Sequence, residues 1–172
     1  MISELTKLAI KAAIQAGKNI LSIYKSADFE VEIKEDNTPL TRADKAAHEI
    51  ISSILQDSKI PIVSEEGKNI PYETRRYWDK IWVVDPLDGT KEFIKRNGEF
   101  TVNIALVEKG TPIIGVVIAP ALGLIYFSEK NIGSFKSTIN FDFYNLETVF
   151  SKTLRLPLFN SVEIFTVLIS RS

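Results

Sequence analysis

The sequence has no cysteine, and it has one histidine and one methionine among 172 residues. The lack of cysteine excludes thiol nucleophiles, disulfides and thiolate metal sites, and it fits a reducing compartment. The first residues lack the basic stretch and apolar run of a signal peptide, and no apolar run is long enough to cross a bilayer. We therefore expect a cytoplasmic protein without a membrane span, with peripheral association to the inner membrane as an alternative.

An excess of charge of one sign is also missing, because 21 basic residues are balanced by 22 acidic residues and the net charge is −1. This balance offers no basic field to a nucleic acid polymer. What is present is the mixture of an ordinary globular protein, with 45% hydrophobic and 25% charged residues. A chain of this length can bury an apolar core as one domain.

Two amphipathic helices are predicted in the first third of the chain. Apolar residues recur at steps of three and four over residues 4–24 and again over residues 42–55. Thr41 and Asp44 have the spacing of a capping box at the start of the second helix. The polar stretch at residues 34–39 contains proline and predicts a loop between the helices.

The rest of the chain predicts β-strands. Five segments have the apolar runs or the alternation typical of strands: 60–63, 81–84, 100–107, 113–119 and 124–128. A meander of antiparallel strands after two helices indicates an α+β fold, with the two N-terminal helices packed on an antiparallel sheet. Residues 129–161 have no readable pattern, and residues 165–170 predict a last strand.

Acidic residues follow two of the predicted strands. Asp85 and Asp88 lie in Asp-Pro-Leu-Asp-Gly-Thr, directly after one strand, and Glu65 and Glu66 follow another. If those strands are neighbours, Glu65 meets both aspartates, and the carbonyl of Leu87 can point to the same spot. Converging carboxylates repel one another unless a cation neutralises them. Oxygen donors in a chain without cysteine favour Mg²⁺ over Zn²⁺.

The residues after Asp88 have features of a phosphate site. Gly89 allows a positive φ or a close approach of a ligand to the backbone. Thr90 and Lys91 are predicted to open a short helix, whose free N–H groups can bind phosphate oxygens. Lys91 also forms a basic cluster with Lys95 and Arg96, which is either a charged surface or an attraction for an anionic substrate.

Local spacing leaves alternatives open. Asp, Pro and Gly are common turn residues, so a plain turn and a metal site explain residues 85–90 equally well. Glu65 and Glu66 taken alone are typical of a solvated loop, and Asp44 taken alone is typical of a helix cap. His48 stands alone within a helix, where a surface or packing role is more common, and no role is predicted for it.

A longer motif resembles a known family. Residues 83–90 are similar to the signature of the inositol monophosphatase superfamily, a group of Mg²⁺-dependent, Li⁺-sensitive phosphatases. The continuation at residues 91–106 resembles the CysQ-type 3′(2′),5′-bisphosphate nucleotidases of bacteria. Residues 34–44 and 64–66 match that pattern in the right order. The resemblance covers nearly the whole chain and is weakest over residues 131–162.

The resemblance implies a role for each site residue. By position, four residues match the family's Mg²⁺ ligands: Glu65, Asp85, Leu87 through its carbonyl, and Asp88. Asp44 and Thr90 match a pair that orients and deprotonates the attacking water, and Glu65 joins them as a catalytic residue. The implied contacts to substrate come from six residues: Glu65, Leu87, Asp88, Gly89, Thr90 and Lys91.

The implied reaction is the hydrolysis of the 3′-phosphate of adenosine 3′,5′-bisphosphate to AMP and phosphate, by in-line attack of water without a covalent intermediate. It belongs to sulfate assimilation, in which this bisphosphate is a by-product. The implied partner is therefore a small phosphorylated nucleotide, with Mg²⁺ as cofactor. Three alternatives are an inositol or sugar monophosphatase, a non-catalytic fragment that binds metal or phosphate, and a structural protein with an incidental acidic turn.

Family members continue beyond position 172 with a second αβ half, which supplies another Asp ligand and shapes the nucleotide pocket. We therefore expect residues 1–162 to form an N-terminal metal- and phosphate-binding α+β domain, part of a layered α-β-α-β-α sandwich. Residues 163–172 would be the first strand of the second half. An unpaired strand there favours a homodimer.

Overall fold

The computed structural model describes residues 2–26, 30–34, 39–143 and 145–157. Five α-helices lie in these residues: α1 Glu4–Tyr24, α2 Arg42–Leu55, α3 Tyr72–Arg75, α4 Thr90–Ile94 and α5 Leu146–Ser151. Nine strands lie in them: β1 Glu32–Ile33, β2 Pro39–Leu40, β3 Ile62–Ser64, β4 Lys80–Asp88, β5 Thr101–Glu108, β6 Thr111–Ala119, β7 Leu124–Glu129, β8 Gly133–Thr138 and β9 Leu154–Leu156. Short 3-10 helices occupy Gln56–Ser58 and Pro120–Leu122.

A seven-stranded sheet forms the centre of the fold, in the order β3-β4-β5-β6-β7-β8-β9. From β4 to β9 each strand pairs antiparallel with the next one along the chain, which confirms the predicted meander. Of the strands described, β3 alone is parallel to its neighbour, β4. The short strands β1 and β2 form a separate antiparallel hairpin.

The two N-terminal helices pack on one face of the sheet, as predicted. Helix α1 lies against α2 and contacts β5 and β6, while α2 contacts β4. The buried face of α1 is rich in alanine: Ala9, Ala12, Ala13 and Ala16. Side chains this small let neighbouring helix backbones approach closely. None of the described helices is long and apolar enough to cross a membrane.

The chain after β7 has more structure than the sequence predicted. Residues 129–157, which had no readable pattern, contain β8, α5 and β9. In β8 the buried position is held by a polar residue, Ser137, whose hydroxyl donates to the carbonyl of Val149 at 2.7 Å. A serine at a core position hides the apolar alternation that normally marks a strand. The strand predicted at 165–170 lies outside the described residues, as does the boundary at 162.

In the part of the chain that the structure describes, the face of the sheet away from the helices is open. Val83 and Val117 point to this face and are 41% and 39% exposed, whereas their chain neighbours Val84 and Val116 are buried. An apolar groove of about 500 Å³ crosses the open face between β3 and β6. Its lining includes the carboxylates of Glu65 and Asp85, so the candidate site lies at the margin of an uncovered sheet surface.

Candidate functional site

The ends of β3 and β4 bring Glu65 and Asp85 together. The two strands run parallel with Ser64 opposite Val84, and the Glu65 N–H donates to the Val84 carbonyl at 3.0 Å. The residues that follow this pair, Glu65 and Asp85, both have carboxylate side chains. The expectation that the two acidic segments follow neighbouring strands is confirmed.

Residues 85–88 continue strand β4 instead of leaving it in a turn. Asp85 pairs with Asn103 and Asp88 pairs with Thr101, so three steps along β4 match two steps along β5. The extra residue makes a β-bulge, which bends the strand and re-aims its side chains. A proline such as Pro86 is tolerated at this kind of irregularity, because no ladder hydrogen bond is required of it. The predicted strand end is thus corrected from Val84 to Asp88.

Asp85 is a strongly perturbed carboxylate. Burial raises the pKa of its side chain from the ordinary 3.8 to about 7, and repulsion from Glu65 and Asp88 adds to the increase, while the Leu87 N–H opposes it. Its Oδ1 atom is buried and has no hydrogen-bond partner among the described residues. A buried carboxylate oxygen without a donor, next to two more carboxylates, is a place where a cation relieves both desolvation and repulsion.

The donor atoms fit a hard divalent cation, although the acids do not form a closed cluster. Glu65, Asp85, Asp88 and the Leu87 carbonyl offer oxygen donors, which Mg²⁺ prefers. Within the described ranges, no three His, Cys, Asp or Glu side chains are gathered so that they could hold a metal ion. Glu65 and Asp88 are both exposed, and only Asp85 is drawn inward. The assignment of these four residues as metal ligands stays a prediction.

Asp44 joins the start of α2 to the start of α4. Its Oδ2 accepts hydrogen bonds from the N–H of Thr41 at 2.7 Å and from the Thr41 hydroxyl, and its Oδ1 accepts from the Thr90 hydroxyl at 2.9 Å. The Thr90 hydroxyl also lies 3.2 Å from the Leu87 carbonyl, but its single proton serves one acceptor at a time. Asp44 is buried, and the predicted capping box is present. One side chain therefore combines the cap with a contact to Thr90.

Gly89 adopts a conformation that requires glycine. Its φ is 89°, and a Cβ atom built on it would lie 2.8 Å from the carbonyl oxygen of Glu99. The predicted helix α4 begins directly after it. Phe93 of α4 packs with Tyr24 and Phe100, with ring centroids 5.2 Å apart in both pairs. The close backbone approach at Gly89 and this aromatic cluster fix the start of α4, where Thr90 contacts Asp44.

Lys34 reaches the two glutamates from the end of β1. Its ammonium group bonds the Glu66 carboxylate and lies 3.5 Å from Oε1 of Glu65. Burial disfavours the charged form, but the hydrogen bonds and charges of Glu66 and Glu65 outweigh it and raise the pKa of Lys34 above its ordinary 10.5. Lys34 had no predicted role, because a contact between residues 31 positions apart has no local signature in the sequence.

Asn103 was also missed from the sequence. Its side-chain amide donates to Oδ2 of Asp88 at 3.3 Å, and it stands opposite Asp85 in the ladder. The apolar alternation of β5 placed Asn103 on the face away from the core. A polar residue on that face, next to a strand that ends in acidic residues, was the signal in the sequence that could have identified it.

The three residues of the basic cluster at and just after α4 have different surroundings. Arg96 donates to the backbone carbonyls of Tyr24 and Ser26 and so ties α4 to the end of α1. Lys95 pairs with Glu92 at 3.6 Å. Lys91 is exposed at the start of α4, where the predicted contact with substrate stays a prediction.

Comparison with known proteins agrees with these observations. The model of the "Inositol monophosphatase family" matches residues 1–162. A Salmonella typhimurium protein named 3′(2′),5′-bisphosphate nucleotidase CysQ is 50% identical over 121 residues, which are 69% of this chain and 49% of that protein. The protein of the same name from Buchnera aphidicola is 47% identical over 138 residues, covering 74% of this chain and 51% of that protein. The chain thus spans about half the length of these curated relatives.

Solved structures show the same relationship. The crystal structure of CysQ from Bacteroides thetaiotaomicron matches 97% of this chain and 62% of its own, with a TM-score of 0.82 and 46% identity. The suhB protein of Bartonella henselae matches 80% of this chain and 53% of its own, with a TM-score of 0.70 and 28% identity. The bulged strand, the Asp44–Thr90 pair and these matches lead to one conclusion: this chain belongs to the inositol monophosphatase family.

Proposed function

We propose that this chain carries the hydrolytic site of a Mg²⁺-dependent phosphatase that removes the 3′-phosphate of adenosine 3′,5′-bisphosphate, giving AMP and phosphate. The observation that carries the proposal is the 2.9 Å contact between the Thr90 hydroxyl and Asp44, together with the buried Asp85 oxygen that has no partner among the described residues. The printed name of the relatives, 3′(2′),5′-bisphosphate nucleotidase, supports the substrate. The resemblance to CysQ-type enzymes extends the proposal to sulfate assimilation.

Asp44 and Thr90 would act on the attacking water. One oxygen of Asp44 is committed to Thr41, which leaves the other to accept the Thr90 proton. A threonine hydroxyl whose proton points at a carboxylate presents its lone pairs to the other side. It can therefore accept a proton from water and pass its own to Asp44, as general-base catalysis requires.

Four residues would hold the cation: Glu65, Asp85, Asp88 and Leu87 through its carbonyl. When bound, Mg²⁺ supplies positive charge that favours ionisation of the attacking water and stabilises the leaving oxygen. The part of the chain is to balance that charge with carboxylates and to shield Asp85 partly from water. Gly89, Thr90 and Lys91 would contact the phosphate oxygens. Residues 1–162 form the metal- and phosphate-binding unit in this proposal.

Phosphate release tests the proposal. We expect the chain with Mg²⁺ to release phosphate faster from adenosine 3′,5′-bisphosphate than from inositol 1-phosphate. Asp88→Asn should lower kcat/KM by about 100-fold, because it removes a charge that opposes the cation. Asp88 is exposed, so the fold should tolerate the change. Asp57→Asn alters an equally exposed carboxylate on the 3-10 helix after α2, and it should leave turnover unchanged.

Other outcomes support other functions. Faster release from inositol 1-phosphate would support an inositol or sugar monophosphatase and contradict the nucleotide substrate. Mg²⁺ binding in a calorimetric titration without phosphate release would support a non-catalytic unit that binds metal and phosphate. Full turnover in Asp88→Asn would contradict the ligand assignment.

A further inference from the structure

Helix α2 sends two side chains towards the site from one face. Asp44 and His48 are four residues apart, so they lie one above the other on the helix. Asp44 reaches Thr90, just after β4, and His48 reaches Ser64, the last residue of β3, with 2.8 Å between Nδ1 and Oγ. A single turn of α2 therefore contacts both strand ends that carry the candidate metal ligands.

The His48 ring also packs against the turn that follows Ser64. The Gly67 N–H donates to the Ser64 carbonyl at 3.0 Å, which closes a four-residue turn with Glu65 and Glu66 at its centre. A Cβ atom on Gly67 would lie 3.4 Å from Cε1 of His48 and 3.2 Å from the Ser64 carbonyl oxygen. The imidazole is thus hydrogen-bonded to one end of the turn and lies close to the other end, with Glu65 and Glu66 between these ends.

Apart from the His48 contact, the side-chain bonds described for this turn go to Lys34 and not to a helix. The glutamate carboxylates of the turn pair with Lys34, the residue directly after the short hairpin strand β1, and Glu65 itself is exposed. The Glu65 N–H donates to the Val84 carbonyl on β4, a bond that holds the backbone of Glu65 and not its side chain. Among the described residues, the His48–Ser64 hydrogen bond links this turn to α2, the helix whose Asp44 bonds Thr90.

We propose that His48 is a positioning residue for the metal site: through the Ser64 hydroxyl it holds the Ser64–Gly67 turn on α2 and so sets the position of Glu65 relative to Asp85. The part of this inference that concerns the cation rests on the proposed function. In this proposal His48 contacts neither the substrate nor the cation. It acts through Ser64 on the position of Glu65, a candidate metal ligand. Removal of a group that orients a metal ligand without contacting the metal typically lowers metal affinity by about 10- to 100-fold.

Hydrogen exchange without added metal tests the positioning role directly. We expect His48→Ala to speed exchange of the Glu65 and Gly67 amides by about 10-fold, because the turn loses one hydrogen bond worth about that factor. Ser64→Ala should have the same effect, and the double variant should add little to either single change. Ser53→Ala is the matched control on α2, since its hydroxyl bonds back to the Ile50 carbonyl on the exposed side. It should leave the turn unchanged.

A conservative replacement separates positioning from simple packing. The amide of asparagine can place a polar nitrogen or oxygen near the position of Nδ1, and asparagine and histidine have similar helix propensities. His48→Asn should therefore restore slow exchange. If His48 only filled space, the smaller asparagine would not restore slow exchange. Unchanged exchange in His48→Ala, or equal acceleration along the whole of α2, would overturn the inference.

A Mg²⁺ titration by calorimetry extends the test to the cation. His48→Ala should weaken binding by about 10-fold, and His48→Asn should restore it. Unaltered affinity in His48→Ala would overturn the proposed link to the metal site. If the parent chain binds no Mg²⁺, the proposed function is contradicted, and the exchange data alone decide whether His48 positions the turn.

Discussion

At residue 89 the backbone leaves room for a hydrogen atom and nothing larger. Gly89→Ala would combine a positive φ with a Cβ atom 2.8 Å from the Glu99 carbonyl oxygen, and both are unfavourable. We expect a loss of about 3 kcal/mol in the free energy of unfolding, measured from urea denaturation curves with an unchanged slope.

Gly110→Ala provides the matched comparison. Gly110 also has a positive φ, of 77°, but no atom lies within 4 Å of the position its Cβ would take. The replacement should therefore lose only the backbone term, about 1 kcal/mol. Equal losses at the two positions would show that the close approach of the Glu99 carbonyl to Gly89 contributes nothing.

Single residues also show how far sequence reasoning reached into the site. The capping box of Thr41 and Asp44 was predictable because its partners are three residues apart. The contact of Asp44 with Thr90 spans 46 residues, and only the family resemblance paired them. Lys34 and His48 were not assigned, because their partners lie on other elements and no local pattern marks such contacts.

Among the elements, α1 is tied to the sheet at its first turn by Glu129. One oxygen of this carboxylate, at the end of β7, accepts from the N–H of Ser3 at 2.9 Å and from the Thr6 hydroxyl at 2.6 Å. Burial tends to raise the pKa of Glu129, but these hydrogen bonds outweigh it and hold the pKa below its ordinary 4.5. The negative charge also complements the N-terminal end of a long helix.

Glu129→Gln should therefore destabilise the protein by about 1 kcal/mol at neutral pH. A lowered pKa in the folded state means that the charged form stabilises the fold. The contribution is complete above the ordinary pKa of 4.5 and is lost as the pH falls through the lower, folded-state value. Urea denaturation of the parent and the variant should differ at neutral pH and converge in acid. A gap that persists in acid would contradict this account. Glu49→Gln, on the exposed side of α2, is the control.

On the scale of the whole molecule, the uncovered sheet face can be tested with two adjacent residues. Val117 points to the open face and is 39% exposed, while Val116 points under the helices and is 1% exposed. Val116→Thr buries a hydroxyl and should lower the free energy of unfolding by about 2 kcal/mol, whereas Val117→Thr should change it by less than about 0.5 kcal/mol. Thermal or urea unfolding of the two variants decides.

A large loss from Val117→Thr would mean that the open face is covered in solution, as the predicted homodimer would allow. Sedimentation at several protein concentrations would then distinguish a covering copy of the chain from an internal rearrangement. An unchanged stability together with a single monomeric species would leave the sheet face exposed, as the described residues have it.

The sequence predicted the fold well where each element has its own periodicity. Helices α1 and α2 and the strands from β4 to β7 follow the apolar steps of three and four, or of two, that were read from the chain. The prediction failed at β8, where a buried serine replaces an apolar residue, and at the bulge, where pairing with β5 continues past Pro86. Both depend on a neighbouring element, which a single segment of sequence does not contain.

The separation of Thr90 from Asp44 along the chain affects the order in which parts of the molecule are expected to fold. Strands β4 to β9 pair with their immediate successors, so the loops that close as the meander forms are short. Joining residues 46 positions apart loses more chain entropy, because a longer loop must close before the bond can form. We therefore expect the sheet to gain its shape before Asp44 meets Thr90. A probe in the meander should then report folding earlier than a probe of the Asp44–Thr90 contact.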